Sequence, residues 1–167
     1  MMDSLFDMTD NAKNVLITSQ THRIIRILFL LTNLPYFLLA MSRYTSPHPF
    51  TEVANSICSN HGITRGLLVA MSVLSTAFHA RQCTCCHGGH VQTSTRLNAM
   101  DSSCVAVCGV WIAVCFTSGK LLGIVPVSTL FFLGDRAKRR NQYTMYMVYH
   151  GLWHLVSAHY MRGILCE

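Results

Sequence analysis

Tyr149-His150-Gly151-Leu152-Trp153-His154-Leu155 places two histidines four residues apart on an otherwise apolar segment. At the helical period they stand on one face, one turn apart. Nothing ionisable lies between them, and Leu152 and Trp153 suit lipid or a packed bundle. An imidazole pair is costly to keep in hydrocarbon, so the segment reads as a site in need of a partner. Taken alone the pair leaves packing open as the alternative, because a buried histidine can also serve as a hydrogen-bonded core residue.

The chain around it has 167 residues, enough for one domain and a sizeable core. It is 51% apolar and only 12% charged, about half the charged share of a soluble domain. The apolar residues come in blocks, which predicts an all-α, polytopic integral membrane helix bundle, a multi-pass protein. The net charge is +6, but the basic residues are scattered between the apolar blocks. No basic face with interleaved aromatics occurs, which argues for membrane topology and against a nucleic-acid partner.

Residues 1–22 form a polar N-terminal segment, and 23–167 form a single transmembrane helical domain of about five spans. The expected spans are 24–41, 63–80, 100–119, 121–134 and 143–165. Asp3, Asp7 and Asp10 precede Lys13, unlike the start of a cleaved signal peptide. Removal of 24–41 as a signal sequence is the alternative for that span. It carries Arg26, Asn33 and Pro35, an imperfect span expected to pack against neighbours. The fourth span is short and holds Pro126, so a tilted span and a re-entrant piece both fit.

Eight cysteines do not read as a disulfide framework in a chain of this kind. Cys104, Cys108 and Cys115 share one apolar segment and are read as small buried residues. The connector Cys83-Thr84-Cys85-Cys86-His87-Gly88-Gly89-His90 packs soft ligands closely, but it lacks the second spaced pair of a zinc knuckle. Lipidation, a structural metal and a plain loop stay open for it.

Partners for the histidine pair come from the second and third spans. Ser75 and His79 share a helix face near the end of the second, and Asp101 opens the third. Consecutive spans run in opposite directions, so His79 and Asp101 fall on the same side of the membrane. His150 and His154 lie in the first half of the last span on that side, roughly 10–16 Å deep by helical rise. Three neutral imidazoles suit zinc, with the remaining position left for water. A nearby carboxylate can take a proton, and a hydroxyl can donate to an oxyanion. Each residue also has a plainer reading: Ser75 as a hydroxyl bonded within its helix, Asp101 as a helix N-cap. His159 falls off the face of the pair and reads as structural or interfacial, and Met145 and Met147 read as core or lipid contacts.

These residues resemble a family. Ser75-x3-His79, Asp101 opening the next span, and His150-Gly151-Leu152-Trp153-His154 in the last one are similar to the CREST superfamily. Its members include alkaline ceramidases, adiponectin-receptor-like proteins and GPI lipid-remodelling hydrolases. The spacing from His79 to Asp101, with Thr32-Asn33-Leu34-Pro35-Tyr36 in the first span, looks most like the myomaker-like transmembrane branch. The resemblance implies a seven-helix membrane hydrolase with zinc held by His79, His150 and His154, Asp101 as the catalytic acid, and Ser75 as the family's serine. The family places three helices between the Asp helix and the last, where this chain has one candidate. Losing an even number preserves the direction of the last span, with a cavity that is smaller or completed by another subunit, as in a homo-oligomer.

The expected function is zinc-dependent hydrolysis of an amide or ester bond in a membrane lipid, ceramide-like or of the GPI or phospholipid kind. A non-catalytic scaffold, a fusion factor or a lipid-sensing receptor with a structural metal is the alternative. Orientation stays open. The Asp135-Arg136-Ala137-Lys138-Arg139-Arg140 run favours the cytosolic half for the site. The myomaker-like branch implies an extracytoplasmic one. No Asn-x-Ser/Thr sequon arbitrates.

Overall fold

A computed structural model describes residues 23–44, 58, 60–84, 91–116 and 123–166. Among these the chain is an all-α bundle. Its helices are α1 (Arg23–Leu31), α2 (Leu34–Ala40), α3 (His61–Thr84), α4 (Val91–Phe116), α5 (Ile124–Arg139) and α6 (Tyr143–Leu165). Three stretches are long and apolar enough to cross a membrane: Arg23–Ala40, His61–Cys83 and Arg96–Cys115.

The bundle is built as two antiparallel hairpins, α3 with α4 and α5 with α6, joined by the broken segment α1–α2, which packs against both α3 and α6. The break falls at Thr32 and Asn33 because Pro35 has no N–H for the helical ladder and crowds the preceding turn. The chain tightens there into i→i+3 bonds from Thr32, Asn33 and Tyr36. Side chains make up the loss: Thr32 Oγ1 donates to the Phe29 carbonyl at 2.6 Å, and Ser72 of α3 donates to the Asn33 carbonyl at 3.1 Å. Freed backbone groups inside a bundle have to be met by such neighbours.

Polarity is distributed inside out. Asn33, Thr64, Ser72, Ser75, His79 and Gln82 are buried, whereas Ile27, Leu28, Val107, Val110, Phe132 and Leu152 are exposed. On α3 the buried residues Thr64, Leu68, Met71, Ser75, Phe78, His79 and Gln82 recur at helical spacing, so one stripe faces the bundle. An apolar exterior around a seam of small and polar residues is the arrangement that lipid selects. Two apolar clusters close the seam at its ends. One contains Tyr36, Leu68, Met71, Cys108, Ile112 and Leu165, and the other Phe29, Cys83, Ala137, Tyr143, Tyr146 and Met147.

The α5–α6 turn is closed by Asn141 at φ 58°, with the Gln142 N–H donating to the Ala137 carbonyl at 3.0 Å. Asn tolerates this left-handed position better than most residues, and the bond pattern is a Schellman-type helix end.

Three expectations change. Cys115 is not a simple buried thiol: it forms a disulfide with Cys58, with Cα atoms 5.3 Å apart. The antiparallel pairing of α3 and α4 sets the start of one beside the end of the other, a proximity that composition alone does not reveal. Cys104 and Cys108 do remain free thiols. The third segment begins at Val91, not near residue 100, so Asp101 sits inside a helix and is not its N-cap. The connector expected from residue 81 starts later, since α3 continues to Thr84 with Cys83 buried within it. The rest of the Cys83–His90 cluster lies outside the described residues.

The disulfide closes a 57-residue separation. Cys58→Ala is expected to lower stability by roughly 2–4 kcal/mol. Thermal unfolding in detergent without reductant should show a lower Tm for Cys58→Ala and little change for Cys104→Ala.

Candidate metal centre

His79 comes from α3, and His150 and His154 from consecutive turns of α6. Their ligand nitrogens all lie within 4.8 Å of one another. The ring centroids are 5.0 Å apart for His79–His150, 5.4 Å for His79–His154 and 4.8 Å for His150–His154. His79 and His154 are essentially inaccessible, at 1% exposure each. The geometry thus joins the histidine near the end of α3 to the pair in α6.

The tautomer of His79 is set by Gln82, one turn further along α3. The His79 Nδ1–H donates to Gln82 Oε1 at 2.8 Å. That leaves Nε2 as a lone pair facing His154 Nε2, 3.4 Å away. Two imidazole nitrogens on a tetrahedral zinc, each about 2.05 Å from the ion, stand roughly 3.3 Å apart. The donor set and this separation fit a metal ion that takes imidazole ligands. His154 Nδ1 is buried with no protein partner, so its ring is held mainly by what Nε2 faces.

Aromatic side chains wall the imidazoles. Phe29 of α1 meets His79 edge-on at 4.5 Å, and Tyr36 of α2 meets His154 at 5.8 Å. The Tyr36 hydroxyl bonds Ser157 Oγ, which donates to the Trp153 carbonyl at 2.5 Å, fixing α2 on the turn that carries His154. Glycines admit the close approach. A Cβ at Gly134 of α5 would lie 3.5 Å from the His150 backbone nitrogen, and one at Gly151 would lie 3.3 Å from the Thr32 methyl. At Gly151 even a methyl would press on Thr32 at the α1–α2 break, whereas at Gly134 a methyl would make ordinary contact and only a larger side chain would crowd α6.

Asp101 and Ser75 form a second pair beside this cluster. Ser75 lies next to the Asp101 carboxyl, though neither Ser75 Oγ nor Asp101 Oδ1 finds a partner in hydrogen-bonding geometry. Asp101 lines a cavity of about 410 Å³ that is also lined by His150. Its wall further includes Phe78 of α3, Phe131 and Lys138 of α5, and Trp153 of α6. That volume is of small-ligand size. The cavity carries charge at Asp135 and Lys138 and apolar surface at Phe131, Val105 and Trp153. Ser75 is not among its lining residues, so it touches Asp101 and not the open space. His159 is off the cluster and exposed.

Sequence reasoning missed Gln82, Phe29 and Gly134, and only the first of these carried a signal that could have found it. Gln82 was the readable one, since His79-Ala80-Arg81-Gln82 sets a hydrogen-bonding side chain one turn from a ligand. Comparison with protein families, curated proteins and solved structures finds no match for this chain.

Gln82→Leu removes the acceptor that orients His79, and metal affinity is expected to fall roughly 10–100-fold. Gln82→Glu keeps an acceptor and should retain most of it. Chelator competition on purified protein measures both.

Proposed function

We propose that this protein is a zinc-dependent intramembrane hydrolase that cleaves an amide or ester bond of a membrane lipid. The observation that carries the reading is the convergence of His79, His150 and His154, with Nε2 atoms of two of them 3.4 Å apart, beside a cavity lined by both His150 and Asp101. The inside-out bundle supports a lipid surrounding, and the family resemblance of the same residues agrees with the chemistry.

Zinc held by the three imidazoles supplies Lewis acidity toward a carbonyl oxygen and toward water. The protein does the rest. Asp101, the carboxylate on the cavity wall, accepts a proton from the attacking water as its oxygen bonds to the acyl carbon. The same group returns that proton to the nitrogen or oxygen of the leaving group when the C–N or C–O bond breaks. Ser75, beside the Asp101 carboxyl and off the cavity lining, would orient Asp101 by a small rotation of its hydroxyl, a role that differs from the oxyanion donor expected from sequence. Phe131, Val105 and Trp153 provide apolar wall for a lipid chain, and Asp135 and Lys138 provide polar wall for a headgroup. Phe29 and Tyr36 shield the imidazoles and keep bulk water from reaching them from the α1–α2 side.

Detergent-purified protein should carry equimolar zinc, and His150→Ala should lose it. Asp101→Asn should keep the zinc and lose lipid cleavage by at least about 100-fold, the usual scale for a general acid–base. Fresh protein without metal sinks the proposal. Retained zinc with no cleavage of any ceramide-like or phospholipid ester by the wild type would favour a scaffold or sensor with a structural metal.

A further inference from the structure

The disulfide and most of the cations lie at opposite ends of the bundle. Cys58 precedes α3 and Cys115 ends α4, so the bond sits where α3 begins and α4 finishes. Arg26 donates to the Cys83 carbonyl at 3.0 Å, which places the start of α1 at the other end, where α3 finishes. That end also carries Arg23, Arg81, Arg96, Arg136, Lys138, Arg139 and Arg140. Among the described residues the disulfide end has Arg43, Arg65 and Arg162. Arg65 is tied there, donating to the Ser42 carbonyl at 3.3 Å.

Each asymmetry has its own cause. Lys and Arg accumulate on the cytosolic side of membrane helices, by count and not by net charge, so the Asp135–Arg139 ion pair does not weaken the bias. Structural disulfides persist in the oxidising lumen or outside the cell and are rare in the reducing cytosol. The charge rule and the redox rule are independent, and here they give the same orientation. The histidines belong to the cationic half. His79 lies about 8 Å from the end of α3, and His150 about 10 Å from the start of α6. The cavity opens alongside Asp135 and Lys138 of that same half.

We infer that the histidine centre opens to the cytosolic leaflet and takes its lipid from there, while the Cys58–Cys115 end faces an oxidising compartment. The word lipid rests on the function proposed above, but the orientation does not. This resolves the choice that sequence left open, in favour of the cytosolic side.

The test is cysteine accessibility of the full chain in sealed microsomes with the cytosolic face outward. Arg140→Cys and Arg43→Cys, both at exposed positions, are each compared with the parent for added mass from a membrane-impermeant maleimide. Arg140→Cys should gain label at once, and Arg43→Cys only after permeabilisation. The reverse order, or labelling of both before permeabilisation, overturns the inference. Cells lysed in thiol-blocking reagent should yield Cys58 and Cys115 joined; two blocked free thiols overturn the redox half of the argument. Zinc content is read on the same preparations. Inverted labelling with zinc present defeats the orientation alone, and expected labelling with no zinc defeats the function alone.

Discussion

Burying three imidazoles in a bundle with an apolar exterior sets the terms for everything around them. An imidazole has one donor and one acceptor when neutral, and each left unmet in low dielectric costs free energy. The protein meets one of these needs directly, at His79 Nδ1 through Gln82. The His79 and His154 Nε2 atoms face one another at 3.4 Å with a His150 nitrogen close by, an arrangement that a shared proton or a shared cation would stabilise. The broken helix, the two glycines and the aromatic walls follow from that need. They bring α3 and α6 close enough for their imidazole nitrogens to meet and wall the cluster on the α1–α2 side.

The broken segment shows how a costly local feature is absorbed. Pro35 frees backbone groups that a continuous helix would have paired. Ser72 answers from α3, and Thr32 answers from within the turn. In return the kink lets Phe29 lie over His79 while Tyr36, on the next short helix, reaches Ser157. One irregularity thereby ties α1 and α2 to both hairpins.

Much of this was readable. His150 and His154 could be paired from spacing alone, and the structure does bring His79 to them. Helices α5 and α6, however, are not among the stretches long and apolar enough to cross a membrane, and the expected five spans remain an expectation. The all-α class followed from apolar blocks. What escaped the sequence depended on distances between segments. Cys115 looked like its neighbours Cys104 and Cys108 until the antiparallel fit of α3 and α4 set it against Cys58. Asp101 looked like a helix start because the residues before it are polar, yet the helix runs through them from Val91. Ser75 was placed correctly by face, but which atoms it touches is a matter of helix rotation that periodicity does not resolve. Gly134 carries no signal of its own until another helix is laid against it.

The division into two hairpins has a consequence for how the molecule holds together. One hairpin is fastened by the Cys58–Cys115 bond and the other by the turn at Asn141. Each is local and can assemble early, since its helices are neighbours in the chain. His79 belongs to the first, and His150 and His154 to the second. Whatever these imidazoles share is therefore a rivet between preassembled halves, and its strength depends on what the surroundings supply. A cation shared by these imidazoles would join the hairpins at a second place besides the α1–α2 segment, and its loading would add to the stability of the fold.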